Sequence, residues 1–252
     1  MTNAAGKEGN KRPRRPRRSH EIILAGDFVQ LFARPVPELV PQNPAPTRDH
    51  LVSIIASKVA DPRVVEAFRQ VDRAMFLPDD VRDLAYSNQG GIEITETSVA
   101  SQPSMIARMT EQLGLMGDER VLEIGTGLGY GAAILSKLAR EVHTVEIDPE
   151  LAAEARGVLR GLGFENVRVH TGDGMRGLPE DAPFDAILFT GAIEDLPQYI
   201  FQQLAPGGRV VAPIQDGFNS LLYVGTMRDD GKTLDGGHVA RVSFQPLLTP
   251  EG

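Results

Sequence analysis

The chain of 252 residues contains no cysteine and no tryptophan, and it has only five histidines. The absence of cysteine excludes a disulfide framework, a thiolate metal site and a cysteine nucleophile. No metal-ligand spacing connects the histidines, which are His20, His50, His143, His170 and His238. We therefore expect them at strand and surface positions and predict no metal site.

Long apolar runs are also missing. No stretch approaches the roughly 18 apolar residues that a membrane span needs. The arginine-rich start is followed by a short apolar patch, interrupted by Asp27, instead of a secretory hydrophobic region. The sequence thus predicts a cytoplasmic protein without a membrane partner.

Charge is spread unevenly along the chain. Residues 1–20 carry seven Lys and Arg against one Glu, and the other 232 residues have a net charge of −14. An acidic body repels nucleic acid and attracts a basic partner, so any nucleic-acid binding is expected to involve the basic arm. Residues 1–46, basic and then proline-rich, lack the composition of a core. We predict a flexible arm at 1–46 and one domain at 47–252.

Apolar periodicity predicts the elements of that domain. Helical patterns begin at Thr47 and at Asp61, which precedes Pro62 as an N-cap, and a third covers 103–115. Strand and helix signals then alternate: strands at 120–124, 142–147, 167–171, 184–190 and 209–213, and helices at 131–140, 149–162 and 196–204. Segments 221–227 and 239–244 predict a closing hairpin. The pattern predicts an α/β fold: a doubly wound, mostly parallel sheet with N-terminal helices and an antiparallel C-terminal edge.

The strongest chemical signal is a strand that runs into a glycine-rich turn, VLEIGTGLGYG at 121–131. Such glycines let a ligand approach the backbone at a helix N-terminus. A dinucleotide site is one candidate, because Gly127 and Gly129 begin a G-x-G-x-x-A match and Glu146 follows Gly127 by 19 residues. Glu123, ahead of the first glycine, favours a ligand that carries an ammonium group. S-adenosyl-L-methionine is such a ligand.

The predicted cofactor contacts lie in the turn and at the strand ends. Glu146 is placed to accept from the ribose hydroxyls, and Asp173 from the adenine amino group. Asp148 is a weaker candidate, since it precedes Pro149 as a helix N-cap. The other predicted contacts are Glu123, Gly125, Thr126, Gly127, Gly129, Tyr130, Ile147, Gly174 and Thr190.

Several further segments resemble a known family in order along the chain. They read VVEAF (64–68), VDRAMFLP (71–78), SQP (101–103), ARMTEQL (107–113), RVLEIGTG (120–127), GDG (172–174), APFDAI (182–187), QLAPGGR (203–209) and VSFQPL (242–247). From about 61 to 246 the chain resembles the protein-L-isoaspartate O-methyltransferases. These class I enzymes use S-adenosyl-L-methionine, release S-adenosyl-L-homocysteine and methylate carboxylates.

The resemblance implies that Ser101 is the active-site residue, beside the transferring methyl group. A carboxylate is already ionised at pH 7, so methyl transfer needs desolvation and in-line orientation but no general base. A competing role for Ser101 is the N-cap of the helix that opens at Pro103. The resemblance also implies substrate contacts by Thr97, Ser98, Val99 and Gln102.

Residues 93–100 read EITETSVA, where the family usually has glycines and a segment that ends in Gln-Thr-Ile. Val99 stands at the position of that Thr. This Thr/Ser-rich loop looks more like a divergent branch found with peptide natural-product pathways.

The first interpretation is therefore methylation of aspartate in a dedicated, basic peptide of a ribosomal natural-product pathway, with aspartimide formation from the ester. General repair of isoaspartyl proteins is the alternative. A non-catalytic module that binds S-adenosyl-L-methionine is the second alternative.

Overall fold

The computed structural model describes residues 45–95 and 98–250. Apart from residues 45 and 46, the predicted arm at 1–46 lies outside this range, and so does Thr97. In the described part of the chain, no helix is long and apolar enough to cross a membrane.

A seven-stranded sheet forms the centre of the domain. Its strands are β3 (Arg120–Ile124), β4 (Glu141–Glu146), β5 (Val167–Thr171), β6 (Phe184–Phe189), β7 (Leu204–Asp216), β8 (Asn219–Met227) and β9 (Leu234–Val242), and a separate hairpin pairs β1 (Ile92–Glu93) with β2 (Val99–Ala100). The order is β5-β4-β3-β6-β7-β8-β9. The first five strands of this order, β5-β4-β3-β6-β7, are parallel to one another. Strand β8 pairs antiparallel with both β7 and β9. The predicted fold class is confirmed.

The order of the strands places a ligand crevice. The chain fills one side of β3 with β4 and β5 and then returns to add β6 on the other side. Such a reversal is a topological switch point, and ligands of open α/β sheets bind there, at the carboxyl ends of the strands. The glycine-rich turn directly follows β3 and therefore lies at this point.

The helices are α1 (Arg48–Ala56), α2 (Pro62–Gln70), α3 (Pro103–Leu113), α4 (Tyr130–Leu135), α5 (Pro149–Gly161) and α6 (Ile200–Gln203). Side-chain caps explain several of their starts. Asp61 accepts from the backbone N–H of Arg63, and Asp148 accepts from those of Glu150 and Leu151. Each of these caps precedes a proline at the first helical position, as the sequence predicts.

Some predicted boundaries are wrong. The helix expected at 196–204 is only the single turn 200–203, and β7 covers 204–216 instead of 209–213. The last strand is 234–242, not 239–244. After Leu234, residues 235–238 of this strand are polar or glycine and do not alternate with apolar residues. Pairing with β8, and not burial of one face, maintains the strand here. Helix α4 ends at Leu135, short of the predicted 140.

Two apolar cores lie on the two faces of the sheet. On one face, residues such as Val121 and Leu188 pack against α1 to α5. On the other face, Leu122 and Phe189 pack with α6 and the segments before it. Burial on both faces explains why the central strands read as continuous apolar runs, as is typical of parallel sheets.

Candidate active site

A cavity of about 630 Å³ opens where β3, β4 and β6 end. That volume suits a small-molecule ligand. The glycine-turn side of the cavity is formed by residues 123–131 and the adjacent ends of β4 and β6. The Ser101 side is formed by Arg73, residues within 90–94 and 98–102, the start of α3, and residues 243–248.

Most of the predicted site residues meet at this cavity. Those that line it are Ser98, Val99, Ser101, Gln102, Glu123, Gly125, Thr126, Gly127, Tyr130, Glu146, Ile147, Gly174 and Thr190. Gly129 and Asp173 are not among its lining residues. Thr97 lies outside the described residues.

Gly125 starts the turn in a conformation that only glycine adopts easily. Its φ is +95°, and a Cβ at this position would lie 2.2 Å from Oγ1 of Thr190. That hydroxyl lies 2.9 Å from the carbonyl oxygen of Ile124 and 2.7 Å from that of Gly125. Thr190 therefore anchors the turn to the end of β6, and its hydroxyl occupies the space that a Cβ at Gly125 would need.

Glu146 connects the second strand to the turn. Its carboxylate accepts from the N–H of Gly127 at 2.8 Å and from the N–H of Asp148 at 3.2 Å. The side chain is buried, yet it lines the cavity. Because a carboxylate offers about four acceptor sites, Glu146 can hold the turn and still accept from ligand hydroxyls.

A buried hydrogen-bond chain lies beneath the turn. Oγ1 of Thr126 is 2.7 Å from Oγ1 of Thr144, which donates to Oε2 of Glu123 at 2.7 Å. Among the described residues, none hydrogen-bonds with the other oxygen, Oε1. Burial raises the pKa of Glu123 to about 8, and the neighbouring charge of Glu146 adds to this rise. An ammonium group in the cavity would stabilise the ionised form of Glu123.

The two predicted cofactor contacts that do not line the cavity have structural roles. Gly129, at φ +88°, caps α4, and a Cβ there would lie 3.0 Å from Leu159 on α5. Asp173 accepts from the N–H of Met175 at 2.9 Å and pairs with Arg176 at 3.4 Å. These contacts hold the backbone of Gly174, which does line the cavity.

The competing capping role of Ser101 is not what the structure shows. Gln102 occupies the N-cap position of α3, and its side chain makes no capping bond. Asn88 serves instead, because its Oδ1 accepts from the N–H of Ser104 at 3.0 Å. The backbone carbonyl oxygen of Asn88 accepts from the side-chain amide of Gln102 at 2.7 Å. The hydroxyl of Ser101 is therefore not used as a helix cap.

Arg73 is a buried cation in the wall of the cavity. It is 2% exposed, and its guanidinium donates to the carbonyl oxygens of Ala85, Ser87 and Ser101 at 3.1–3.3 Å. None of the described carboxylates forms an ion pair with it, and burial lowers its pKa. Arg73 thus fixes the backbone of Ser101 and leaves positive charge beside the cavity.

Tyr130 belongs mainly to the core. Its ring packs edge-on against Phe68 and Phe76, with centroids 6.0 and 5.5 Å away, and the guanidinium of Arg73 lies 5.8 Å from its centre. Burial raises the pKa of its phenol. The small exposed part of this residue lines the cavity.

The sequence-based prediction missed two contributions to the site. Arg73 and residues 243–248 line the cavity, and both lie in segments that resemble the family. Their positions along the chain gave no sign that they lie near Ser101 in the folded protein. Only the pairing of Ala192 with Pro246 and Gln245 brings the C-terminal segment to the end of β6.

Comparisons with known proteins agree with this geometry. The family model for protein-L-isoaspartate (D-aspartate) O-methyltransferase matches residues 47–252. A protein-L-isoaspartate O-methyltransferase of Myxococcus xanthus is 46% identical over 191 residues, which cover 75% of this chain and 90% of that protein. One of Roseiflexus castenholzii is 44% identical over 195 residues, covering 77% and 88%.

Solved structures show the same fold. A structure of a protein-L-isoaspartate O-methyltransferase is 30% identical with a TM-score of 0.71, and the match covers 79% of this chain and 65% of that chain. A Plasmodium falciparum protein described by the same name, in complex with S-adenosyl-L-homocysteine, is 20% identical with a TM-score of 0.67, covering 80% and 98%. The chain belongs to the protein-L-isoaspartate (D-aspartate) O-methyltransferase family and is an S-adenosyl-L-methionine-dependent protein carboxyl O-methyltransferase.

Proposed function

We propose that this enzyme methylates the free carboxylate of isoaspartyl residues in proteins or peptides. One observation carries the proposal: the glycine turn and the Ser101 segment line the same cavity, so a methyl donor and a carboxylate can meet there. The names of its relatives favour isoaspartate as the acceptor over aspartate in a dedicated peptide.

The glycine-turn side is assigned to S-adenosyl-L-methionine, which supplies a methyl group on a sulfonium. Glu146 accepts from the ribose hydroxyls, because its carboxylate retains free acceptor sites beside the turn. Glu123 stabilises the ammonium, since its Oε1 has no hydrogen-bond partner among the described residues. Gly125, Gly127 and Gly174 bring backbone close to the ligand.

The Ser101 side is assigned to the acceptor. An acceptor carboxylate is ionised at neutral pH, so no general base is needed. It must instead lose its water and point one oxygen at the methyl carbon. We assign this orientation to the hydroxyl of Ser101, and the compensation of the carboxylate charge to Arg73. A buried cation without a carboxylate partner gains most from such an anion.

Methyl transfer to matched peptides tests the proposal. Two short peptides differ only in isoaspartate or aspartate, and each is made in a basic and a neutral version. Labelled S-adenosyl-L-methionine is the donor. We expect transfer to isoaspartate in both versions and little to aspartate. Transfer restricted to aspartate in the basic peptide would overturn the proposal.

The loop at 92–100 supports a second candidate, an aspartyl acceptor in a dedicated peptide. Glu93, Ile94, Ser98 and Val99 line the cavity, so the departure of this loop from the family pattern lies where the acceptor binds. The same peptide pairs distinguish the two candidates. Detection of an aspartimide product from the aspartyl peptide would favour the second.

A further inference from the structure

A cluster of two histidines and an aspartate lies away from the cavity, between β4, β5 and the segment 172–183 that follows β5. Parallel pairing puts His143 opposite Arg168 and His170 opposite Val145, so both imidazoles lie on the same face of the sheet. Asp181 reaches them from the segment 172–183. Nothing in the methyl transfer proposed above uses these three side chains.

The ligand atoms of the cluster converge. Nδ1 of His143 is 3.2 Å from Nε2 of His170 and 3.6 Å from Oδ2 of Asp181. All three atoms lie within 4.8 Å of one another, and in the described part of the chain no other group of His, Asp and Glu side chains does this. In a tetrahedral zinc site with bonds of about 2.0–2.1 Å, neighbouring ligand atoms are about 3.3 Å apart. The measured separations are close to this value.

The surroundings of His143 match those of a metal ligand. The ring is fully buried, and its other nitrogen, Nε2, lies 3.3 Å from Oε1 of Glu141, although not in hydrogen-bond alignment. Glu141 is itself paired with Arg120 at 3.1 Å and Arg168 at 2.9 Å. Metal-binding histidines commonly have a carboxylate near the second ring nitrogen, and Glu141 provides one here. In the tautomer with its proton on Nε2, His143 would present the Nδ1 lone pair to the cluster.

The chemistry of the donors indicates the class of ion. Two imidazoles and one carboxylate suit zinc and neighbouring divalent transition metals better than calcium or magnesium, which prefer oxygen ligands. The side chain of Asp181 is 29% exposed, so an ion can enter from solvent and a water can complete the tetrahedron.

We propose that His143, His170 and Asp181 form a site for a divalent transition-metal ion that tethers the segment 172–183 to β4 and β5. Gly174, near the start of this segment, lines the cavity. The bound ion therefore stabilises backbone that the cofactor meets, without a part in methyl transfer.

Calorimetric titration of the full chain with Zn²⁺, after treatment with a chelator, tests the site. We expect one ion to bind the parent protein. His170→Gln and Asp181→Asn, both at partly exposed positions, should each weaken binding at least about tenfold. His50→Gln, at an exposed position on α1, should leave binding unchanged. His143 is left intact because its full burial makes it a risk for folding.

Thermal unfolding provides a second measurement on the same proteins. Zn²⁺ should raise the melting temperature of the parent and of His50→Gln, because an ion that binds only the folded state stabilises it. It should do so much less for His170→Gln and Asp181→Asn. If the parent protein bound no Zn²⁺, or if binding survived both substitutions, the cluster would be only a hydrogen-bonded pair of histidines beside Asp181. That result would overturn the proposal.

Discussion

The glycine-turn side of the cavity comes mostly from one short stretch of chain, whereas the Ser101 side is assembled from segments far apart in sequence. Residues 123–131 supply the turn, its buried glutamate and the start of α4. Around Ser101, by contrast, residue 73 meets residues within 90–94 and 98–102 and the segment 243–248. On the proposed assignment, a cofactor common to many enzymes is held by local structure, and the acceptor by tertiary contacts. Substitutions on the two sides should therefore affect different steps.

Ser101→Ala is expected to have the largest effect. Loss of one hydrogen bond that orients the reacting group should lower kcat/KM for the isoaspartyl peptide about 100-fold, or ~2.7 kcal/mol. Binding of S-adenosyl-L-methionine, measured by calorimetry, should not change. Ser104→Ala, in the first turn of α3 and off the cavity, is the matched control. Unchanged turnover of Ser101→Ala would remove its catalytic assignment.

Glu146→Ala should do the opposite and act on the cofactor. Its loss removes acceptors for the ribose and for the N–H of Gly127, and we expect weaker binding of S-adenosyl-L-methionine by about 1–3 kcal/mol. Calorimetric titration measures this, and Glu150→Gln, exposed at the start of α5, is the control. Equal affinities of Glu146→Ala and the parent would rule out the role of Glu146.

Glu123→Gln tests the buried chain beneath the turn through pH. The pKa is 4.5 unperturbed and about 8 when folded, so between these values the folded state keeps a proton that the unfolded state has lost. Stability from this group is thus fully present below about pH 4.5 and is lost as pH rises to about 8, by at most ~1.4 kcal/mol per pH unit. Glu123→Gln should flatten this slope.

Denaturant unfolding of both proteins without cofactor, from pH 5 to pH 8, measures the slope. Parallel curves for the parent and Glu123→Gln would show that the carboxyl ionises normally. Thr144→Val removes the donor to Oε2 and should extend the loss to higher pH, because the hydrogen bond from Thr144 stabilises the ionised form.

Arg73→Lys addresses the Ser101 side. A lysine retains the charge but has one nitrogen in place of the two guanidinium nitrogens that reach Ala85 and Ser87 on one side and Ser101 on the other, so the backbone of Ser101 should be held less well. We expect about a tenfold loss in kcat/KM for the peptide, with unchanged affinity for S-adenosyl-L-methionine. Arg69→Lys, at an exposed position on α2, is the control. A loss of cofactor affinity equal to the loss in kcat/KM would contradict the division between the two sides.

Val99→Thr should have the smallest effect and sharpen the choice of acceptor. Threonine has nearly the same volume as valine, and it places at the wall of the cavity the hydroxyl that the family usually has there. One added hydrogen bond of about 1 kcal/mol would raise the ratio of isoaspartyl to aspartyl methylation by up to about fivefold. Val239→Thr, exposed on β9, provides the comparison. An unchanged ratio would show that residue 99 does not influence the choice between isoaspartyl and aspartyl acceptors.

Local signals in the sequence predicted the parts of the structure that neighbours along the chain determine. Asp61 with Pro62 and Asp148 with Pro149 predicted two helix starts, and β3 and β5 have the predicted bounds. The predicted boundaries failed in the last third of the sheet. There, β7 and β9 extend through residues without an apolar pattern, because strand pairing maintains them.

The sequence by itself determined the fold class, the glycine turn and the family, because each depends on residues adjacent in the chain or on periodicity. The tertiary structure decided that Asn88 instead of Ser101 caps α3, that Arg73 holds the backbone of Ser101, and that His143, His170 and Asp181 meet. Each of these contacts joins residues separated by 11 to 38 positions along the chain, so no local pattern records it. Packing and strand register create such contacts, and only a folded chain has them.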